Sequence, residues 1–322
     1  MFRRAVLASA AASLVAAPAL AQPAWPAKPV RVIVPYAPGG STDVVGRVVC
    51  QHLSERLGQQ FLVENKAGAG ASLGTDIVAK AAPDGHTLLV SVISGFAISP
   101  FLYPTVTYDP LRDFTHIAIM AINPSVLVVN NTFPAKTLKE YVEYARASPG
   151  KLSFATSGAG SSNHLLGVML QRTAGIQMEH VPYRGAGPAM QDTIAGNVPS
   201  MFDSLPSASA HIRAGKIRAL AVSGEARNPA FPDVPTMKES GYPDLISNSW
   251  FGLSGPARLA PEIVNKVHAH VMEIMKLPSV VETWSKLGAD YLRHSPAEVT
   301  AFIKAEMDRY KPIVAVSGAK PD

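Results

Sequence analysis

Along residues 30–36 (VRVIVPY) apolar side chains alternate and are mostly β-branched, which predicts a strand. The period then lengthens. From Thr42 to Leu57, the residues Val44, Val45, Val48, Val49, Leu53 and Leu57 share one helical face, with Gly58 placed to end it. The same two periods return along the chain. Strand-like runs at 61–64, 87–93, 115–120, 125–130, 152–156, 178–183, 200–203 and 217–223 alternate with helical stretches near 72–81, 138–145, 162–174 and 188–195. The run TLLVSVI at 87–93 is nearly continuous, as expected for a strand covered on both faces. Strand–helix alternation of this kind predicts an α/β fold with parallel sheets wrapped by helices.

The last third changes character. Residues 228–244 hold four prolines and no periodicity, so an irregular connection is expected there. Residues 249–254 (SWFGLS) read as one more strand, and the remainder as helix, opening at Pro261 with a stripe through Ile263, Val264, Val267, Val271, Ile274 and Met275. Three capping boxes mark helix starts: Thr137 with Glu140, Ser279 with Glu282, and Ser295 with Glu298, the last followed by Pro296 at the first helical position. No internal repeat or low-complexity linker interrupts the pattern. Two α/β units with terminal helices predict two lobes around a cleft.

Composition narrows the class. With 322 residues, 47% hydrophobic and 16% charged, the chain has room for two domains and excludes a disordered polymer. The single cysteine, Cys50, follows two valines in a helical stripe; it excludes an internal disulfide and reads as a small core residue. At the start, Arg3 and Arg4 precede an uncharged, alanine-rich run to Pro18 and the small-residue site Ala19-Leu20-Ala21. Residues 1–21 therefore read as a secretory signal peptide, too short in its apolar part to span a bilayer. The mature protein is expected to begin near Gln22 and to be exported and soluble. Without Arg3 and Arg4 the formal charge falls from +5 to +3, its basic residues scattered singly, so nucleic acid is not an expected partner.

Candidate chemistry sits in two similar segments. Tyr36-Ala37-Pro38-Gly39-Gly40-Ser41-Thr42-Asp43 and Thr156-Ser157-Gly158-Ala159-Gly160-Ser161-Ser162-Asn163-His164 each join a strand to a helix. Glycine permits close backbone approach, and the helix that follows offers unpaired amides and the positive end of its dipole. Ser41, Thr42, Ser161 and Ser162 add hydroxyls, and a parallel sheet collects such loops at its carboxyl edge. Singly, each is also an ordinary capped turn. Together they suit a molecule carrying a carboxylate at each end. No dinucleotide fingerprint, P-loop, HExxH or GxSxG is present, so no cofactor, metal or catalytic centre is expected. His268 and His270 diverge on their helix, and His164 reads as packing in the first turn of its helix rather than as a base. Asp203 either points into a cleft or caps the next segment through Ser204 or Ser207.

The stretches WPAKPVRVIVPYAPGGSTD, NKAGAGA, PDGHTLL, ATSGAGSSNHL, VPYRGAGPAMQD, MFDSLPSASAHIRAGKIRALAVSG and PDVPTMKESGYP together span nearly the whole mature chain. In them the chain resembles the Bug (TctC-type) receptors, extracytoplasmic solute-binding proteins of tripartite tricarboxylate transport systems. The resemblance implies a two-lobed type II periplasmic-binding-protein fold, with residues 22–123 and 248–322 in one lobe and 124–247 in the other. It implies a monomeric periplasmic receptor that holds a small mono-, di- or tricarboxylate and presents it to a membrane transporter or sensor. Carried over residue by residue, Tyr36, Gly39, Gly40, Ser41 and Asp43 form one wall and Gly158, Gly160, Ser161 and His164 the other, with Tyr183, Gly185 and Asp203 nearby. Phe96 and Ser99 stand where the family usually has more polar residues, which implies a ligand less polar than citrate. The competing expectation, from another class, is an exported hydrolase using Ser161 or Ser41 with His164.

Overall fold

A computed structural model describes residues 25–321, so the expected signal peptide at 1–21 lies outside the described residues. The first half runs β1 (Val30–Val34), α1 (Ser41–Leu57), β2 (Phe61–Asn65), a 3-10 turn at Ala69–Ala71, α2 (Ser72–Ala79) and β3 (Thr87–Val92). A π-helical turn, Ser94–Ile98, leads into α3 (Ser99–Leu102) and then β4 (Phe114–Asn130). The middle of the chain supplies α4 (Leu138–Ala147), β5 (Ser153–Thr156), α5 (Ser162–Ala174), β6 (Glu179–Pro182), α6 (Ala186–Ala195), β7 (Ser200–Ser204), α7 (Leu205–Arg213) and β8 (Ile217–Val222). The end supplies β9 (Asn248–Pro256), α8 (Pro261–Ile274), α9 (Pro278–Leu287), β10 (Asp290–Leu292) and α10 (Pro296–Ser317).

The strands form one curled sheet in the order β2-β1-β3-β9-β4-β7-β5-β6, with β8 and β10 also pairing β4. Its outer parts are parallel as expected: β1 with β2 and β3, and β5 with β6 and β7. The centre departs from the expectation. There β9 runs antiparallel to β3 and β4, and β7 and β8 run antiparallel to β4. The strands expected separately at 115–120 and 125–130 are one 17-residue strand. Pro124, which has no N–H to donate, sits where the partner changes: Phe114 to Pro124 pair with β9, and Ser125 onward with β7 and β8.

Each part of the sheet is covered on both faces. Along β4, Val126 and Val128 pack under α6 and α7 while Leu127 and Val129 face α4 and α5. On the other part, Val32 and Val90 lie against α1 and α8, whereas Ile33 and Leu89 belong to a cluster with Phe96, Trp250 and α10. α1 buries Val45, Val49 and Leu53, as its stripe predicted, and ends at Gly58 in the left-handed region (φ 68°). The box at Ser295 forms completely. The one at Ser279 does not: α9 opens at Pro278 with Leu277 in the cap position, so Ser279 lies inside the first turn.

Candidate functional site

The ends of β1, β3, β5 and β7 meet β9 around a small cavity of about 30 Å³. One wall comes from the β1–α1 loop, through Tyr36, Gly40, Ser41 and Thr42. The backbone of Gly40 is extended (φ -84°, ψ 171°), and no side chain caps α1 there. The positive end of a 17-residue helix thus opens on the cavity with the hydroxyls of Ser41 and Thr42 beside it. Asp43 looks the other way. Its carboxylate accepts from Gly39 N at 3.1 Å, Arg47 Nε at 3.0 Å and Asn65 Nδ2 at 3.0 Å, which brace the loop. Burial pulls the Asp43 pKa upward, but these hydrogen bonds outweigh it and hold the group below its ordinary value.

The facing wall is Ser157, Ser162, Asn163, Ala186, Asp203 and Ser204. The second glycine loop reaches the cavity through the residues that flank its turn. Ser161 Oγ instead caps α5, accepting from His164 N at 3.1 Å. The His164 ring stacks on His180 with centroids 3.9 Å apart, and its Nδ1 accepts from Gly160 N at 3.2 Å. Burial pushes His180 down to about 3, so that ring is neutral near neutral pH. Gly160 packs against Leu102 and Tyr103, while Gly158 and Tyr183 line an adjoining groove with Tyr36. The Tyr183 hydroxyl donates to Asp192 at 2.6 Å.

Asp203, for which a cap and a cleft-facing position were alternatives, has both the cap bonds and a place in the cavity wall. It is fully buried at the end of β7 and lines the cavity, and Oδ1 accepts from Ser204 N at 2.7 Å while Oδ2 accepts from Ser207 Oγ. Burial raises its pKa to about 7 against those two hydrogen bonds. Ser249, which sequence reasoning did not single out, ties the base together: its Oγ is 3.1 Å from Ser162 Oγ and accepts from Ser204 Oγ at 3.2 Å. Asn163 accepts from Ser125 Oγ at 2.9 Å. Both were missed because neither carries a motif; the strand-to-helix loop ending Ser-Ser-Asn was the available signal for Asn163, and Ser249 in β9 had none. Phe96 and Ser99 are not in the cavity wall. Phe96 is a core residue against Phe114, His116 and Trp250, Ser99 bonds Gly70 O at 2.7 Å, and the wall beyond β3 is Val92, Ile93 and Ser94.

The two walls touch. Ser41 Oγ donates to Ser207 Oγ at 3.0 Å and accepts from Ser207 N at 3.0 Å. Ala37 N donates to Arg184 O at 3.1 Å, and Tyr103 OH to Ala159 O at 2.9 Å. Gly39 faces Gly187, where an added Cβ would collide with Pro38 O, and Gly185 packs on Ala37; only glycine at 187 permits this approach. Ligand pockets usually offer ~300 Å³ or more, so the far smaller volume here marks a cleft whose walls are drawn together. Ser41 and Ser161 are thus occupied as a cleft-spanning hydroxyl and a helix cap.

The chain and its fold are similar to those of known proteins. The family described as Tripartite tricarboxylate transporter family receptor matches residues 45–318. Protein BugT of Bordetella pertussis (strain Tohama I) is 38% identical over 307 residues, covering 95% of this chain and 94% of BugT. The structure of the periplasmic binding protein BugD aligns with a TM-score of 0.88 at 33% identity, covering 92% of this chain and 99% of that one. An R. palustris protein with adipate aligns at 0.89 and 31% identity, covering 92% of this chain and 100% of that one. MatC from Rhodopseudomonas palustris with bound malate aligns at 0.86 and 34% identity, over 90% of this chain and 100% of that one. Of these structural relatives, BugD is a periplasmic binding protein and the other two hold a dicarboxylate.

Proposed function

This chain belongs to the tripartite tricarboxylate transporter receptor family, and we propose that it captures a small carboxylate between two lobes and presents it to a membrane transporter or sensor. The observation that carries the ligand class is the uncapped start of α1, opening on a cavity whose polar lining is hydroxyls, one side-chain amide and one buried acid. Helix amides and dipole favour an anion at that point without a lysine or arginine beside it. The relatives holding adipate and malate support a dicarboxylate of that scale. We assign the direct contacts to Tyr36, Gly40, Ser41 and Asp203, with Ser162 and Asn163 from the second loop. Gly39, Asp43, Gly158, Gly160, Ser161, His164, Tyr183 and Gly185 act by shaping the two loops.

The change of partner along β4 at Pro124, opposite Asn248 of β9, supports a division into residues 22–123 with 248–322 and residues 124–247. The cleft then opens by bending at those two crossings. The periplasmic relative BugD supports export, which we place after removal of residues 1–21, with the protein acting as a monomer in that compartment. The test is a thermal-shift and calorimetric panel of mono-, di- and tricarboxylates on protein stripped of ligand by gentle denaturation and refolding. A bound acid raises the melting temperature in proportion to the logarithm of its excess over Kd. A refolded protein that no acid on the panel stabilises overturns the reading.

A further inference from the structure

We infer that Asp203 is the solute-facing acid of this cavity and that the anionic solute is bound together with one proton, held between Asp203 and a carboxylate oxygen of the solute. The inference rests on the receptor reading and adds a condition to it. Asp203 is fully buried in the wall facing the uncapped start of α1, and its partners are a backbone N–H and a serine hydroxyl. No ion pair involves it among the described residues. An anion drawn to the α1 amides therefore arrives beside a second carboxylate in a water-poor space. Two such charges do not both persist at close range; one proton converts the repulsion into an O–H···O⁻ hydrogen bond. The proton comes from solvent, and no covalent bond changes.

The surrounding titratable groups leave that role to Asp203. On the α1 side, Asp43 is tied to Arg47. Beneath α5, His180 is held neutral by burial, stacked on His164, and Tyr183 is pushed up to about 12 by burial and Asp192. Farther along α7, His211 lines a separate groove with Ser207 and Gly187, its pKa lowered by burial. From β4 and β9 the neighbours are Val126, Ser125 and Ser249, which do not titrate. Burial already brings Asp203 to about 7, and an anion beside it raises that value further. Between the free and bound values, binding takes up a proton and affinity falls as pH rises.

The experiment is calorimetric titration with adipate and with malate between about pH 7 and 9, in buffers of differing ionisation enthalpy. Uptake of about half a proton near pH 7, rising toward one above about pH 8, with binding that weakens toward tenfold per pH unit in that upper part, is expected. Asp203→Asn is expected to abolish the uptake and flatten the pH profile. Tight binding by the wild-type protein with no proton uptake and a flat profile overturns this inference and leaves the receptor reading standing. So does aspartate binding more tightly than malate as pH rises, because an ionised Asp203 would then be pairing with an ammonium group. Binding of neither adipate, malate nor any other carboxylate on the panel removes both readings. If the variant does not fold, the wild-type buffer comparison decides alone.

Discussion

Gly40 tests the site at the scale of one residue. Its φ of -84° suits any side chain, so nothing in the backbone of its own loop requires glycine. What requires it is the facing wall, since a Cβ there would lie 3.3 Å from the Ala186 Cβ. The two further methyls of valine have no room when the walls meet. Gly40→Val is expected to weaken adipate or malate binding at least about 100-fold by calorimetry, with the melting temperature of the free protein within about 3 °C of wild type. Gly160→Val provides the contrast. There φ is +70°, and a Cβ would sit 2.8 Å from Leu102 and 2.9 Å from Tyr103, so lost binding is accompanied by a lower melting temperature. That difference was not legible in the sequence, where the two glycines occupy matching places in matching loops. The spacing of Asp43 and Arg47, four residues apart on one helix, does encode the brace, yet the family resemblance pointed to Asp43 as a ligand contact. For Asp203 the sequence left cap and cleft as alternatives, and a carboxylate with four lone-pair positions does both.

At the scale of elements, periodicity located most strands and helices because each buries one face or both against a neighbour in its own layer. It failed where pairing crosses between layers. The antiparallel β9 and the unbroken β4 are decided by partners far along the chain, and the Asn-Pro pair inside β4 carries the local signature of a break. Helix starts divide in the same way. Thr137 Oγ1 accepts from Glu140 N at 3.2 Å, while the Glu140 carboxylate reaches one residue past the cap to Lys136 N at 2.6 Å. Thr137→Ala is expected to cost about 1 kcal/mol in urea denaturation. Ser279→Ala, at a position that looks equally like a cap, is expected to stay within about 0.5 kcal/mol of wild type, because Pro278 starts α9 before it. Equal losses at the two positions would make Ser279 a true cap and move the start of α9 beyond it.

For the whole molecule, buried titratable groups set the response of stability to pH, and they pull in opposite directions. Burial lowers His116 to about 4 and His180 to about 3 from an ordinary 6.5, so their stabilising effect is complete above that ordinary value and is lost as pH falls toward the folded values. Asp203 is raised to about 7 from 3.8, so its contribution is complete below 3.8 and is lost as pH rises through 7. Between about pH 4 and 6.5 the unfolded chain therefore binds two more protons at the histidines, and the folded protein one more at Asp203. From these three groups alone the net difference of one proton makes stability climb with pH by about 1.4 kcal/mol per unit in the middle of that window, and the lowered His211 and His270 add to the climb. Asp203→Asn deletes the opposing proton, and the climb is expected to steepen by about 1.4 kcal/mol per unit relative to wild type before levelling above the histidine range. Urea denaturation of both proteins at half-unit steps measures the two slopes. The slope is the diagnostic, because an amide at 203 also alters the bonds to Ser204 and Ser207 and so shifts the whole curve by an amount that does not depend on pH. Parallel curves for the two proteins would mean that Asp203 is ionised throughout the window, in spite of its burial.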